Sequence, residues 1–488
     1  MIEDRIAYRA LSSRDPRFDG VFFVGVSSTR IYCRPICPAR TPLQKNCRFF
    51  GSAAAAEKAR YRPCLRCRPE LAPGTSPVDQ SQRTALLLIH RMEEGLLDDG
   101  AGLETIAEQF GLSSRQLRRI VLKELGVSPI ELMQTRRLLL AKQLLTETRL
   151  PVTAIAFASG FSSLRRFNAA FSAQYRMPPS RFRKKTGAHE ELHAGGTSVL
   201  QLQYRAPYDW QSILDFLSLR KISGVECVTA DSYARTVQLG RHRGWVRVTH
   251  APDKRALRVE FAHALTPVLP ALLGRLRSLF DLSARPDLIA AHLKREPRLR
   301  TAIRKSPGLR VPGAFDGFEL ALRAIVGQQI TVKAATTLTG RLAEKFGTPI
   351  ATPFPELTRL TPSAAQLAKA GIGALAELGL ISARAATLIH VARAFESGEL
   401  TLEAGANPDD VIAQLTALPG IGPWTAHYIS MRALRWPDAF PKEDIAVRNS
   451  LGGISAKEAD ELSQSWRPWR SYAVIHLWRA GRELKSKN

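Results

Sequence analysis

Apolar and polar positions along the chain change period several times. "LETIAEQFGLSSRQLRRIV" (103–121) and "VTAIAFASGFSSLRRFNAAF" (152–171) follow one plan. Each predicts an apolar helix, a turn glycine, a serine pair able to cap, and a second helix rich in arginine. Ala107/Ala156, Gly111/Gly160 and Ser113/Ser162 align at an offset of 49, so the two read as copies of one unit. "GVSP" at 126–129 and "RMPP" at 176–179 close the copies. From 199 the period changes. "LQLQYRAPYDWQSILDFLSLR" begins as a strand and runs into a helix, and "SYARTVQLGRHRGWVRVTH" alternates as paired strands do. These predict an α+β module reaching to about residue 285, after which helices dominate. Within them "DVIAQLTALPGIGPWTAHYISMRAL" (410–434) reads as helix, tight turn, helix. The polar stretches "LAPGTSPVDQSQ" (71–82) and "SRFRKKTGAHEELHAGGTS" (180–198) read as a linker and as a basic exit into a second linker.

A chain of 488 residues exceeds what one core usually organises, so several domains are expected. Lys and Arg number 70 against 44 Asp and Glu, a formal charge of +26. Residues 1–195 hold 31 basic and 18 acidic side chains and the remainder 39 and 26, so each part carries +13. Both halves therefore suit a polyanion, with nucleic acid the leading candidate. The start "MIEDRIAYRA" has no apolar core of a signal peptide, and nowhere do about 18 apolar residues run together. A cytoplasmic protein without a membrane partner is expected. Its thiols would stay reduced, and paired cysteines then point to metal rather than disulfides.

Four of six cysteines are paired: Cys33 and Cys37 as C-x3-C, Cys64 and Cys67 as C-x2-C, with 26 residues between. Four thiolates saturate a tetrahedral zinc, and short loops present them in pairs of this kind. Cys47 and Cys227 fit no ligand spacing and read as packing residues. "FVGVSSTRIYCRPICPAR" followed by "AAAEKARYRPCLRCRPE" resembles the N-terminal zinc domain of Ada-type alkylation-response proteins. The resemblance implies that Cys33 accepts a methyl group from a methylated DNA phosphate. Zinc would hold the sulfur as thiolate, the nucleophilic form. Losing one thiolate charge from a centre of net −2 should tighten DNA binding, with Arg30, Arg34, Arg40 and Lys45 steering the phosphate.

The tandem unit resembles the AraC-type DNA-binding domain. Candidate base or phosphate contacts are Arg115, Gln116, Arg118 and Arg119 in the first copy, and Arg165, Arg166 and Asn168 in the second. In the C-terminal half, Leu418–Gly422 flanks Ile421 with Gly420 and Gly422, which suits a tight turn offering backbone N–H groups to a phosphate. Twenty residues beyond Trp424 stands Asp444, in "DAFPKEDIAVRNS". "PYDWQSILDFL", "FELALRAIVGQQ", "LPGIGPWTAHY" and "WRPWRSYAVIHLW" resemble the AlkA-type helix-hairpin-helix glycosylases for alkylated bases. That resemblance implies Asp444 as the catalytic carboxylate, with Asp438 and Glu443 as nearby alternatives and a helix N-cap as a second role for Asp444. It places Trp424, Tyr428, Trp478 and Phe216 around a flipped base, where aromatic faces favour a cation. Gln328 and Gln329 are implied substrate contacts, with Gln329 standing where relatives can carry a leucine wedge.

Bifunctional relatives carry a lysine where this chain has Trp424, so hydrolysis without lyase activity is expected. No cysteine follows Cys227, which excludes an iron–sulfur cluster of four cysteines in this half, and no PCHR-type acceptor is present. The expected architecture is multidomain: a small α+β zinc domain (1–76), an all-α tandem helix-turn-helix domain (82–185), an AlkA-like α+β module (198–285) and a mostly α helix-hairpin-helix domain (286–486). The implied function is a sensor, regulator and DNA-3-methyladenine glycosylase in one chain. Its implied cofactor is Zn²⁺, and its implied partners are alkylated and operator DNA, with RNA polymerase. The rival reading is a regulator whose glycosylase half only binds DNA.

Overall fold

The computed structural model describes residues 3–73, 103–104, 107, 112–186, 196–403 and 406–485. Most of the first copy's leading helix and of the first linker, and residues 187–195 of the second stretch, lie outside these residues, Gly111 included. The chain divides into two compact units: residues 1–206 with 251–274, and residues 207–250 with 275–488.

The first unit starts with α1 (Asp4–Ser12) and a four-stranded sheet of β1 (Phe23–Val26), β2 (Ile31–Cys33), β3 (Cys47–Phe50) and β4 (Arg62–Pro63), interrupted by α2 (Ala53–Lys58). The strand order is β3-β1-β2-β4, antiparallel except for the parallel pair β2–β4. That parallel pair brings two distant segments side by side: Ile31 faces Arg62, Tyr32 faces Pro63, and the Cys64 N–H donates to the Tyr32 carbonyl at 2.9 Å. Both cysteine pairs therefore leave the sheet at the same end.

The tandem unit contributes α3 (Ser114–Leu125), α4 (Pro129–Glu147), α5 (Val152–Ala158), α6 (Leu164–Tyr175) and α7 (Pro179–Thr186). Serine caps start the arginine-rich helices, but Ser113 caps α3 whereas Ser163 caps α6. The second copy thus holds one more residue in its turn, and its later half aligns at an offset of 50 rather than 49. Burial decides this: Leu117 pairs with Phe167 and Val121 with Phe171, all at 0% exposure. Gln116, expected to reach DNA, instead accepts the Ser113 N–H and hydroxyl at 2.9 Å each, closing a capping box. β5 (Thr197–Gln203) follows, with buried Ser198, Leu200 and Leu202 alternating with half-buried neighbours, and pairs antiparallel with β9 (Ala256–Ala262).

The second unit contains α8 (Trp210–Ser218) and three antiparallel strands, β6 (Glu226–Val228), β7 (Ser232–Leu239) and β8 (His242–Ala251). The alternation read in β7 does not survive as a wet face, because seven of its eight residues are buried. Arg235 is tolerated there by Glu319, bonded at 3.2 and 2.6 Å. The helices that carry function are α9 (Gly317–Val326), α10 (Val332–Phe346), α11 (Ser382–Ser397), α12 (Pro408–Ala417), α13 (Pro423–Arg432), α14 (Ile445–Ser450) and α15 (Arg470–Lys485). Among the described residues no helix is long and apolar enough to cross a membrane.

Within the first unit, α2 packs against α4 around an enclosed carboxyl. Glu57 accepts the Tyr32 hydroxyl at 2.9 Å and the Thr135 hydroxyl at 2.8 Å. Burial pushes its pKa up to about 7, although both hydroxyls oppose the shift. A carboxyl raised in this way favours the folded state at acid pH, and the contribution is lost as pH rises through about 7. Glu57→Gln removes the titration while an amide still meets both hydroxyls. Thermal melts should show the variant equal to the parent at pH 5 and more stable at pH 8. Equal melting at both values would mean that Glu57 does not titrate there.

Candidate active site and metal centre

Cys33 ends β2, Cys37 lies in the turn that follows, and Cys64 and Cys67 lie in the turn after β4. All four are buried, none forms a disulfide, and their sulfurs all lie within 4.8 Å of one another. Tetrahedral zinc with bonds of about 2.3 Å holds its sulfurs about 3.8 Å apart, so the donor set and its size fit. The chemistry of the thiols also calls for a cation. Four thiolates so close need a divalent ion between them. Cys47 and Cys227 lie outside the cluster.

A backbone N–H meets one of the sulfurs: Arg34 N–H donates to Cys67 Sγ at 3.3 Å. Arg34 itself is not a surface cation. It is 3% exposed, and its guanidinium grips Asp19, with Nε donating at 2.8 Å, and reaches the Cys67 carbonyl at 3.0 Å. An arginine committed to a buried carboxylate cannot meet DNA, which removes it from the expected contacts. Arg30, Arg40 and Lys45 are exposed, as are Arg115, Arg118, Arg119, Arg165, Arg166 and Asn168 on α3 and α6.

In the second unit α12, the turn Leu418–Gly422 and α13 form the hairpin. Gly420 is required twice over: its φ is +86°, and a Cβ there would stand 2.0 Å from Thr387 Oγ1. Gly422 is the N-cap of α13, and a Cβ there would meet nothing within 4 Å, so the turn is open to solvent. Gln328 holds this turn from behind, its Nε2 donating to the Gly420 carbonyl at 2.9 Å and to Thr425 Oγ1 at 3.1 Å. Gln328 braces the hairpin, while Gln329, at the wedge position, stands exposed at φ +55° between α9 and α10.

Asp444 is the N-cap of α14 and is 8% exposed. Its Oδ1 accepts the Val447 N–H at 2.9 Å and Trp478 Nε1 at 3.0 Å, and its Oδ2 accepts Trp424 Nε1 at 2.9 Å. Both tryptophans thus contribute N–H groups as well as ring faces. Trp424 stacks on Tyr428 with centroids 5.3 Å apart and planes at 8°, and Tyr428 meets Trp478 at 6.2 Å. Phe216 is 2% exposed, 6.4 Å from Trp478, with guanidinium carbons of Arg220 and Arg432 at 3.9 and 4.9 Å from its ring centre. It supports the cluster from below rather than lining an open wall. Of the alternative carboxylates, Asp438 is consumed by Arg470 at 2.8 Å and Arg467 at 2.7 Å.

Sequence reasoning missed Arg432. It is 4% exposed and donates to the carbonyls of Pro312 and Gly313 and to the Tyr428 hydroxyl, each at 2.8 Å. Burial raises the Tyr428 pKa, but Arg432 and Arg220 outweigh it and the net shift is downward. A signal existed, since Arg432 lies one helical turn after Tyr428 on α13.

Four family models match in order along the chain: the metal binding domain of Ada over 6–70, a helix-turn-helix domain over 106–185, the AlkA N-terminal domain over 199–316, and the HhH-GPD superfamily of base excision DNA repair proteins over 322–469. A protein of Mycobacterium tuberculosis named "Probable bifunctional transcriptional activator/DNA repair enzyme AlkA" is 38% identical over 480 residues, covering 96% of this chain and 95% of that one. The chain belongs to the Ada–AlkA family. The "DNA-3-methyladenine glycosylase 2" of Escherichia coli is 36% identical over 279 residues, covering 57% of this Ada–AlkA chain and 95% of that enzyme. The fold of a 3-methyladenine DNA glycosylase from Archaeoglobus fulgidus matches with a TM-score of 0.51 at 21% identity, over 58% of this chain and 98% of that one. In this Ada–AlkA protein the four buried cysteines form a zinc site.

Proposed function

We propose that this protein is a DNA alkylation repair and response factor. Its second unit hydrolyses the N-glycosidic bond of alkylated bases of the 3-methyladenine type. Its first unit accepts methyl groups from DNA phosphotriesters and regulates transcription at an operator. The observation that carries the reading is Asp444, a buried carboxylate held on both oxygens inside a cluster of aromatic rings. The names of the relatives in Mycobacterium tuberculosis and Escherichia coli support it.

A base alkylated on a ring nitrogen is already cationic and leaves without a general acid. Its C–N bond breaks with the electron pair going to the base, and the sugar gains oxocarbenium character. Asp444 stabilises that charge and directs water to the sugar carbon, taking up the proton the water loses. Trp424, Tyr428 and Trp478 offer ring faces to the cation, and exposed Gln329 fills the gap left by the flipped base. Trp424 stands where a Schiff-base lysine would, so the product is a free base and an intact sugar–phosphate chain. The open turn at Gly422 and the N-terminus of α13 take a DNA phosphate.

In the first unit, zinc bound by the four cysteines keeps their sulfurs ionised at neutral pH. Cys33 Sγ attacks the methyl carbon of a phosphotriester: an S–C bond forms, the C–O bond breaks, and the phosphodiester leaves as an anion. Cys33 is given this role because it is the first cysteine of the CRPIC run that resembles the Ada acceptor. Exposed Arg30, Arg40 and Lys45 steer the phosphate, and the exposed arginines of α3 and α6 bind the operator. RNA polymerase is the partner such a regulator meets, in the cytoplasm.

Asp444→Asn keeps shape and removes charge. Release of alkylated bases should fall by on the order of 10²–10³ or more while duplex binding holds. Trp478→Phe removes one N–H from the carboxylate and should cost roughly tenfold or more, since hydrogen bonds to charged groups contribute about 1.5–3 kcal/mol. Full activity in Asp444→Asn would mean that the catalytic carboxylate lies elsewhere, with Asp438 and Glu443 the alternatives. For the sensor, peptide mapping after incubation with methylated DNA should place one methyl on Cys33, and operator affinity should rise less at high salt. A methyl found on Cys64 or Cys67, or on none, would overturn the assignment.

A further inference from the structure

Two chains of buried charge leave the cysteine centre, and both end on the segment that follows the tandem helix-turn-helix. The first runs from Cys67, whose carbonyl accepts Arg34, through Asp19 to Arg205, which donates to the Asp19 carbonyl at 3.0 Å and the Pro73 carbonyl at 3.3 Å. The second starts at the Cys64 carbonyl, which accepts Lys142 Nζ at 3.2 Å. Lys142 pairs with Glu70 Oε2 at 2.5 Å, and Arg68 bonds Glu70 Oε1 at 2.9 Å and reaches Glu147 at 2.8 Å. Glu147 then accepts the backbone N–H of Gln201, in β5, at 3.0 Å.

These contacts are enclosed. Lys142 is 2% exposed, and Arg34 and Arg205 are each 3% exposed. Gly20 shows how closely the first chain packs: a Cβ there would stand 2.0 Å from the Pro73 carbonyl oxygen and 3.2 Å from Arg205. Buried charges of this kind persist only in sets, because removing one leaves its neighbour unpaired. Two of the four ligand cysteines supply the first acceptor of each chain. The same two residues therefore offer sulfur to the centre and a carbonyl to a buried cation. β5 is the strand with which the AlkA N-terminal match begins, at residue 199.

We infer that the cysteine centre and the first strand of the glycosylase half are coupled: an assembled centre, acting through Arg34 and Lys142, holds β5 and its partner β9 docked on the sensor. Within the first unit, β5 and β9 are then held by a conditional contact rather than by chain connectivity alone. A change at the cysteines, whether loss of metal or a chemical change that displaces Cys64 or Cys67, appears as a loosened β5, the strand with which the AlkA N-terminal match begins. The coupling does not depend on which base is excised or whether excision occurs.

Hydrogen–deuterium exchange on the full chain tests this in three samples: the zinc-loaded protein, the same protein after treatment with 1,10-phenanthroline, and Lys142→Met. Both perturbations should speed exchange of the 197–203 and 256–262 amides, on the order of a hundredfold, as expected for the loss of one partner in a buried charge set. Amides of the hairpin helices α12 and α13 should not change. Slow β5 exchange after chelation, when the 31–67 amides already exchange freely, would overturn the inference, and so would slow β5 exchange in Lys142→Met. Equal acceleration of α12 and α13 would show global unfolding and overturn it too. Base release is not the readout, so failure of the glycosylase assignment would leave this result standing.

Discussion

A charge enters the interior of this protein only with its partner, and each functional centre depends on that constraint. An unpaired buried ion costs several kcal/mol, of the order of a whole domain's stability margin. Asp444 satisfies the rule with two indole N–H groups and one backbone N–H rather than with a cation. The choice has a chemical consequence. A guanidinium against the carboxylate would neutralise the charge that a cationic transition state needs, whereas neutral donors fix its position and leave the charge in place. Six residues away, Asp438 shows the other solution, saturated by Arg470 and Arg467 and therefore structural.

The same rule shapes the first unit. Arg34 was expected to steer a DNA phosphate, yet it, Lys142 and Arg205 are each buried against a carboxylate or a carbonyl oxygen. The net charge of +26 therefore overstates the surface available to DNA, and the cations that remain exposed include those of α3, α6 and the loops around the cysteines. Glu57 is the exception that titrates, because its neighbours are hydroxyls that oppose its burial only in part.

Much of this was legible in the chain itself, because the chemistry is local. Metal ligands come in short pairs, a hairpin needs glycine where φ is positive, and a helix start needs a capping side chain, so Cys33, Gly420 and Asp444 each carry their own signal. The failures share a cause as well. Arg34 sits beside a ligand cysteine, and nothing local says that Asp19, fifteen positions back, will enclose it. Lys142 and Glu70 are 72 apart, and Arg205 and Asp19 are 186 apart. Pairings at such range leave no periodic trace in one sequence. The shift from 49 to 50 between the tandem copies was visible in "GVSP" and "RMPP", but only burial of Leu117 with Phe167 showed which half of the unit carries the extra residue.

The two proposed chemistries differ in what they consume, and the architecture follows that difference. Hydrolysis at Asp444 returns the carboxylate unchanged, so the second unit needs only a rigid site and can turn over. Methyl transfer to Cys33 converts a thiolate into a thioether, a bond that thiol chemistry does not reverse, so each chain can report damage once. A report made once must reach its readers through lasting contacts. In the first unit the cysteine sheet lies against α4, the helix that joins the two helix-turn-helix copies, through Glu57–Thr135 and Lys142–Glu70. The single event and the DNA-reading helices thus share one packed body. The repeatable reaction sits in the other unit, where each turnover restores the site to its starting state.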